Sequence, residues 1–119
     1  MNLVTTQSNS AAHAEVVAIG MAQTALGTHD FSTVGDLQLI TSTEPCAMCL
    51  GAIPWSGLSE VVCGARAEDA ENAGFNEGLK PHPWQDALTE RDISVQTDVL
   101  RQEAAELFQT FKNRDGRLY

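Results

Sequence analysis

Two short motifs constrain this chain more than any other feature of its sequence. The first is H-A-E at residues 13–15, at the predicted start of a helix, and the second is P-C-A-M-C at residues 45–49, which opens another. Cys46 and Cys49 are three residues apart, so both sulfurs leave the first turns of one helix in the same direction. The positive end of that helix favours thiolates. We therefore expect two helix starts to converge on one site.

One imidazole and two thiolates are a suitable ligand set for a catalytic zinc ion. Such an ion takes three protein ligands, keeps a fourth position for water and lowers the pKa of that water to about 7. We predict that His13, Cys46 and Cys49 bind Zn²⁺. Glu15 follows the histidine closely, so its carboxylate can reach the water without binding the metal and carry a proton to a substrate ring nitrogen.

A redox pair or a structural zinc site is the alternative for the two close cysteines. A structural site needs a fourth ligand, but His29, His82 and Cys63 do not lie at finger-like spacing from Cys46. An odd number of cysteines without a secretory signal argues against a disulfide framework. Cys63, in the apolar run 61–63, is instead predicted to be a buried strand residue.

Composition limits the class of protein and its partners. A length of 119 residues and an apolar fraction of 43% fit a single domain spanning residues 1–119. The net charge of −9, with seven Lys and Arg residues, leaves little for a nucleic-acid surface. No apolar run is long enough to span a membrane, and no signal peptide is visible. We therefore expect a cytoplasmic protein with no nucleic-acid or membrane partner.

Helical and strand patterns alternate along the chain. Residues 2–9 are predicted to be loop, Ser10 to cap the first helix, and Pro54 to end or kink the second. This order predicts an α/β fold with a partly parallel sheet. The first two predicted helices begin at Ser10 and Pro45, and three further helices are predicted at 67–72, 83–90 and 100–111. The predicted strands are 37–43, 60–65 and 93–99.

The H-x-E and P-C-x-x-C order resembles the signature of the cytidine deaminase-like superfamily of zinc-dependent deaminases. Three further segments are similar to the bacterial guanine deaminases within it. These segments are E-P-C-A-M-C-L-G-A-I at residues 44–53, A-G-F-N-E-G at residues 73–78 and D-G-R-L-Y at residues 115–119. The resemblance covers nearly the whole chain.

The resemblance implies a three-layer α-β-α sandwich that hydrolyses guanine to xanthine and ammonia. Asn2 and the backbone of Ala14 would contact the purine base, and Glu77 would be a second carboxylate that holds the guanine edge and moves protons. Trp55 would form an aromatic wall, with core packing as its alternative. Tyr119 would close over the purine, in a homodimer that exchanges C-terminal segments.

The chain departs from that family at its N-terminus. The relatives have a helix and a β-hairpin before the residue that matches Asn2, and their usual strand order is 2-1-3-4-5. Without those first strands, the strand at 37–43 becomes an open edge. Either the chain is a fragment or a mis-started gene product, or a partner chain covers that edge. Alternative functions are deamination of tRNA adenosine or of a pterin- or triazine-like ring, or an inactive zinc-binding or dimerisation remnant.

Overall fold

The computed structural model describes residues 1–114, 116 and 118 of the chain. Its helices and strands alternate in the order that the sequence predicted. A 3₁₀ turn at Phe31–Thr33 precedes the first strand. The helices are α1 Val4–Gln7, α2 Ala14–Leu26, α3 Ala47–Ser56, α4 Ala67–Asn72, α5 Asp86–Thr89 and α6 Arg101–Asn113, and the strands are β1 Gln38–Thr43, β2 Glu60–Ala65 and β3 Ser94–Gln96.

The N-terminal segment differs from the prediction. Part of the expected loop 2–9 is the short helix α1, and α2 begins at Ala14 rather than after Ser10. The Asn9 side chain accepts a hydrogen bond of 3.0 Å from the Ala11 N–H, and the Asn9 carbonyl accepts one from the Ala12 N–H. This side-chain turn holds residues 9–12 outside the helix.

The second helix does not end at Pro54, so the prediction that it ends there is wrong. Helix α3 runs two residues further, to Ser56, and ends at Gly57 in the left-handed conformation with φ of 77°. A Cβ atom at Gly57 would collide with the Asp30 carboxylate, so this position requires glycine. Because Pro54 lies in the last turn, its missing N–H removes at most one hydrogen bond.

The described strands form a parallel sheet in the order β1-β2-β3. Leu39 pairs with Val61, and Val61 with Val95. Strand β3 is shorter than the predicted 93–99, because Asp98 and Leu100 have positive φ angles and turn the chain into α6. Cys63 is 1% exposed, which confirms the prediction of a buried strand residue.

Helices cover both faces of the sheet, which confirms the three-layer α-β-α prediction. On one face, side chains of α2, α3 and α5 pack with the strands in a single core. On the other face, α6 packs on β2 and β1. Gly64 makes this second approach possible, since a Cβ atom there would lie 2.8 Å from the Ser42 carbonyl oxygen and 2.9 Å from the Ala104 Cβ.

Strand β1 lies at an edge of this sheet. Within the described part of the chain it pairs with β2 alone, and Ile40 on it is 71% exposed. The open edge is the one that the sequence predicted. Among the described residues, no helix has the length and apolarity needed to cross a membrane.

Candidate active site

Three side chains converge at the starts of α2 and α3. The Nδ1 atom of His13 lies 3.4 Å from the Cys46 sulfur and 3.8 Å from the Cys49 sulfur. All three ligand atoms lie within 4.8 Å of one another. In a tetrahedral zinc site, the bond lengths place nitrogen and sulfur ligands about 3.6 Å apart. The cluster therefore has the chemistry and the spacing of a zinc site, as the sequence predicted.

Helix caps set the direction of these ligands. His13 is the N-cap residue of α2 and Cys46 that of α3, both with extended backbone, and Cys49 lies in the first turn of α3. The helix ends supply partial positive charge to both sulfurs. Cys46 and Cys49 are 9% and 0% exposed, so water does not screen that charge.

The two sulfurs interact strongly with each other. Hydrogen bonding with Cys49 lowers the pKa of the Cys46 thiol to about 5, with help from the charge of His13. The same contact with Cys46, together with burial and the charge of Glu15, raises the pKa of Cys49. Both shifts arise from the same contact between the sulfurs, and a bound metal takes both sulfurs as thiolates because thiolates are the ligand form.

Glu15 lies beside the cluster. Its Oε2 atom accepts a hydrogen bond of 3.5 Å from the Cys49 sulfur, and its Oε1 atom accepts one of 3.4 Å from the Thr41 hydroxyl. Glu15 is in the first turn of α2, one residue into the helix from Ala14. The carboxylate can therefore move protons next to the metal ligands.

One cavity contains most of the residues that the sequence singled out. Its walls come from the N-terminal segment, the start of α2, the end of β1 and the loop after α4. Thr41, Phe75 and Phe108 also line it and were missed as site residues. The predicted residues that line the cavity are Asn2, His13, Ala14, Glu15, Cys46 and Glu77.

Glu77 is a half-buried carboxyl in the wall of this cavity. Burial raises its pKa to about 7, with a further contribution from the negative charge of Cys46 and an opposing one from Lys80. The Glu77 carbonyl accepts a hydrogen bond of 2.8 Å from the Ala47 N–H. The Asn76 side chain accepts one of 2.9 Å from the Gly78 N–H. The first of these bonds attaches the loop to α3, and the second stabilises the turn within the loop.

Asn2 contributes its amide group at the opposite side of the site. The side-chain oxygen of Asn2 accepts a hydrogen bond of 3.0 Å from the Val4 N–H at the start of α1. The Leu3 N–H donates to the Ala12 carbonyl at 2.9 Å, which fixes this segment next to His13. The amide nitrogen of Asn2 is the group left to donate to a ligand.

The predicted wall residue Trp55 does not line the cavity. Trp55 is 86% exposed and lines a separate groove with Leu79 and Pro81. Its position follows from the helix. Leu50 and Ile53 occupy the buried face of α3, and the unbroken helix turns Trp55 to the opposite face. Tyr119 lies outside the described residues.

Phe75 and Phe108 form the aromatic wall that the sequence did not assign. Their ring centroids are 5.6 Å apart, and Phe75 lies 5.8 Å from Phe111. Phe108 is on the apolar face of α6, which favoured core packing in the sequence. The A-G-F pattern at residues 73–75 was the one signal that a phenylalanine approaches the site.

Comparison with known proteins gives consistent matches. Residues 1–65 match the family described as the cytidine and deoxycytidylate deaminase zinc-binding region. A guanine deaminase of Bacillus subtilis (strain 168) is 45% identical over 78 residues, which cover 66% of this chain and 48% of that protein.

Solved structures agree in sequence and in fold. A guanine deaminase from Nitrosomonas europaea is 43% identical with a TM-score of 0.91, covering 95% of this chain and 63% of that one. A variant of the protein NE0047 in complex with 8-azaguanine is 44% identical with a TM-score of 0.90, covering 93% and 62%. The chain spans about half the length of the curated relatives it matches.

Proposed function

This chain belongs to the cytidine and deoxycytidylate deaminase zinc-binding family, and on that premise we propose that it hydrolyses guanine to xanthine and ammonia. One observation carries the proposal. The Glu15 carboxylate lies 3.5 Å from the Cys49 sulfur, inside a cavity that also contains Glu77. A metal cluster, an acid beside it and a second carboxyl are the groups that this hydrolysis requires.

Proton movements are assigned to Glu15. Zinc bound by His13, Cys46 and Cys49 would supply a Lewis acid and a water activated near neutral pH. Glu15 takes a proton from the attacking water and delivers it to a guanine ring nitrogen. The carbon that bears the amino group becomes tetrahedral. The proton of the new hydroxyl on that carbon then passes through Glu15 to the amino group, so that the C–N bond breaks, ammonia leaves and the carbonyl of xanthine forms.

Substrate recognition is assigned to Glu77, Asn2 and Ala14. Guanine presents N–H donors at N1 and at its amino group, and a carboxylate such as Glu77 accepts from both. The amide nitrogen of Asn2 and the backbone of Ala14 contact the remaining polar edge. Phe75 and Phe108 supply apolar surface for the flat base. Recognition thus uses residues from four separate segments.

The partner and the location are further parts of the proposal. We infer a homodimer that exchanges C-terminal segments, so that Tyr119 closes over the purine in a partner's cavity, and the exposed Trp55 of α3 contacts the partner chain. An 86% exposed tryptophan on a helix surface supports such a contact. We infer a cytoplasmic location, where free purine bases are available.

The rival substrates differ from guanine in charge and size. A tRNA substrate requires a basic surface, and a net charge of −9 with seven Lys and Arg residues opposes it. A pterin or triazine ring offers a different set of donors to Glu77. A non-catalytic zinc-binding or dimerisation module would have no use for the carboxylate at Glu15.

The test is ammonia release from a panel of substrates, with the zinc content of the same sample measured in parallel. The panel contains guanine, adenine, cytosine, a pterin, an aminotriazine and a tRNA anticodon stem. We expect stoichiometric zinc and a clear preference for guanine. Turnover of another ring with guanine inert would replace the proposed substrate, and bound zinc with no turnover at all would support the non-catalytic module.

A further inference from the structure

Thr41 contacts Glu15 across the gap between β1 and α2. Its hydroxyl lies 3.4 Å from Glu15 Oε1 and 3.1 Å from the carbonyl oxygen of Thr43. Thr41 is half-buried and pairs with Cys63 of β2, so the sheet fixes its backbone. Its β-branched side chain has few rotamers, and the hydroxyl therefore points at the site from a rigid base.

Two side-chain donors reach Glu15 among the described residues. The Cys49 sulfur lies 3.5 Å from Oε2 and the Thr41 hydroxyl lies 3.4 Å from Oε1. Because Cys49 belongs to the metal cluster, Thr41 is the donor that lies outside that cluster.

The 3.4 Å distance from the Thr41 hydroxyl to Glu15 is explained by a hydroxyl proton that two acceptors share. A hydroxyl has one proton, and the Thr41 hydroxyl has both the Thr43 carbonyl and the Glu15 carboxylate within reach. Catalytic hydrogen bonds are often long in an unliganded site and shorten in the complex. A carboxylate is the stronger acceptor of the two, because it carries charge.

We propose that Thr41 is a positioning residue that holds Glu15 in the orientation needed for proton transfer. The inference rests on the proposed function and deepens it. Without the hydroxyl, the Glu15 side chain is free to rotate about its last torsions, which are broad for glutamate. If the Glu15 carboxylate is displaced by about 1 Å, the rate of proton transfer falls strongly. The metal ligands and the substrate contacts are unchanged.

The experiment compares Thr41→Val, which removes the hydroxyl and keeps the shape, with Thr41→Ser, which keeps the hydroxyl. Thr110→Val is the matched control, since it makes the same change on an exposed residue of α6 whose hydroxyl bonds a backbone carbonyl. The measurements are kcat, KM, zinc content and thermal unfolding of each full-length variant, with crystal structures of the wild-type protein and Thr41→Val.

We expect Thr41→Val to lower kcat by roughly 10- to 100-fold, with KM within about threefold of the wild-type value and full zinc content. Thr41→Ser should recover at least about tenfold of that loss. Wild-type kcat in Thr41→Val would overturn the inference. Equal loss in Thr41→Val and Thr41→Ser would overturn it too, since the methyl group would then be the important part.

The crystal structures separate this inference from the proposed function. If the wild-type chain does not deaminate guanine, the proposed function fails, but the Glu15 orientation can still be compared between the two structures. A Glu15 side chain that rotates away in Thr41→Val supports the positioning role. An unchanged Glu15 side chain in Thr41→Val contradicts it, whatever the substrate.

Discussion

The backbone carbonyl of Glu77 accepts a hydrogen bond of 2.8 Å from the N–H of Ala47, the first residue of the helix that contains Cys49. The loop with the second carboxyl is thus attached to the metal-binding helix itself. Close packing reinforces the attachment. Gly78 lies so near Ala47 that a Cβ atom added to the glycine would be 3.0 Å from the Ala47 Cβ. These contacts hold the Glu77 loop against the helix that contains Cys49.

We expect Glu77→Gln to lower kcat/KM for guanine by roughly 100-fold while zinc content stays the same. The amide cannot exchange a proton, and it presents a donor where the carboxylate presented acceptors. Steady-state kinetics and metal analysis are the measurements. Glu71→Gln, an exposed acid in the last turn of α4, is the control. Unchanged guanine kinetics in Glu77→Gln would remove the argument for guanine.

Glu15→Gln should retain the metal and lose turnover by about two to four orders of magnitude. The substitution keeps the size of the side chain and the contact with Thr41, but the amide cannot accept and return a proton. Single-turnover assays with zinc analysis measure both properties. Glu106→Gln on the exposed side of α6 is the matched control. Normal deamination by Glu15→Gln would show that the proposed mechanism is wrong.

Gly64→Ala should destabilise the protein by about 1–3 kcal/mol, because its new methyl group has no room between β2 and α6. Gly51→Ala is the control within a helix. An added Cβ at Gly51 has no neighbour within 4 Å, and alanine should stabilise α3 by up to about 1 kcal/mol. Denaturant unfolding gives both free energies. Equal effects of the two substitutions would contradict the close packing of α6.

Asp69 provides a pH-dependent contribution to stability. It accepts hydrogen bonds from Arg101 Nε and the Arg66 N–H, and the bond from Arg101 is the main reason that the pKa of its carboxyl is below the usual value. Because the pKa of Asp69 is lower in the folded state, its charged form stabilises the protein at pH values above about 4, the ordinary pKa of the carboxyl. This stabilisation is lost as the pH falls below that value towards the lowered pKa.

Asp69→Asn should therefore cost about 1 kcal/mol of unfolding free energy at pH 7, and the difference from wild type should shrink as the pH falls from 4 to 2. Glu68→Gln is the comparison, because its 61% exposed side chain pairs with the same Arg101 and should contribute less. Denaturant unfolding across this pH range is the measurement. A difference that is independent of pH would rule out the charged pair as its cause.

The sequence predicted the metal cluster because its geometry is local. Cys46 and Cys49 are held by one helix turn, and His13 by the start of another, so short motifs determine most of the arrangement. The alternation of strands and helices likewise predicted an α/β fold with a partly parallel sheet, and the family resemblance implied the three layers. The exact start of α2 escaped prediction, because a side-chain turn at Asn9 competes with the helix.

The missed parts of the site depend on tertiary contacts. Phe108 is far from the motifs in sequence and reaches the cavity only because α6 packs across the sheet. Trp55 was expected at the cavity from the family resemblance, with core packing as the alternative, but the helix that continues past Pro54 turns it outward. The roles of Asn2, Ala14, Glu77 and Tyr119 stay predictions until they are measured.

The N-cap positions of His13 and Cys46 have a practical consequence for protein engineering. Ligands that project from the starts of helices leave the later turns of α2 and α3 away from the metal cluster. Exposed residues on those turns, such as Met21, can be exchanged for charged ones to improve solubility while the coordination sphere is left intact.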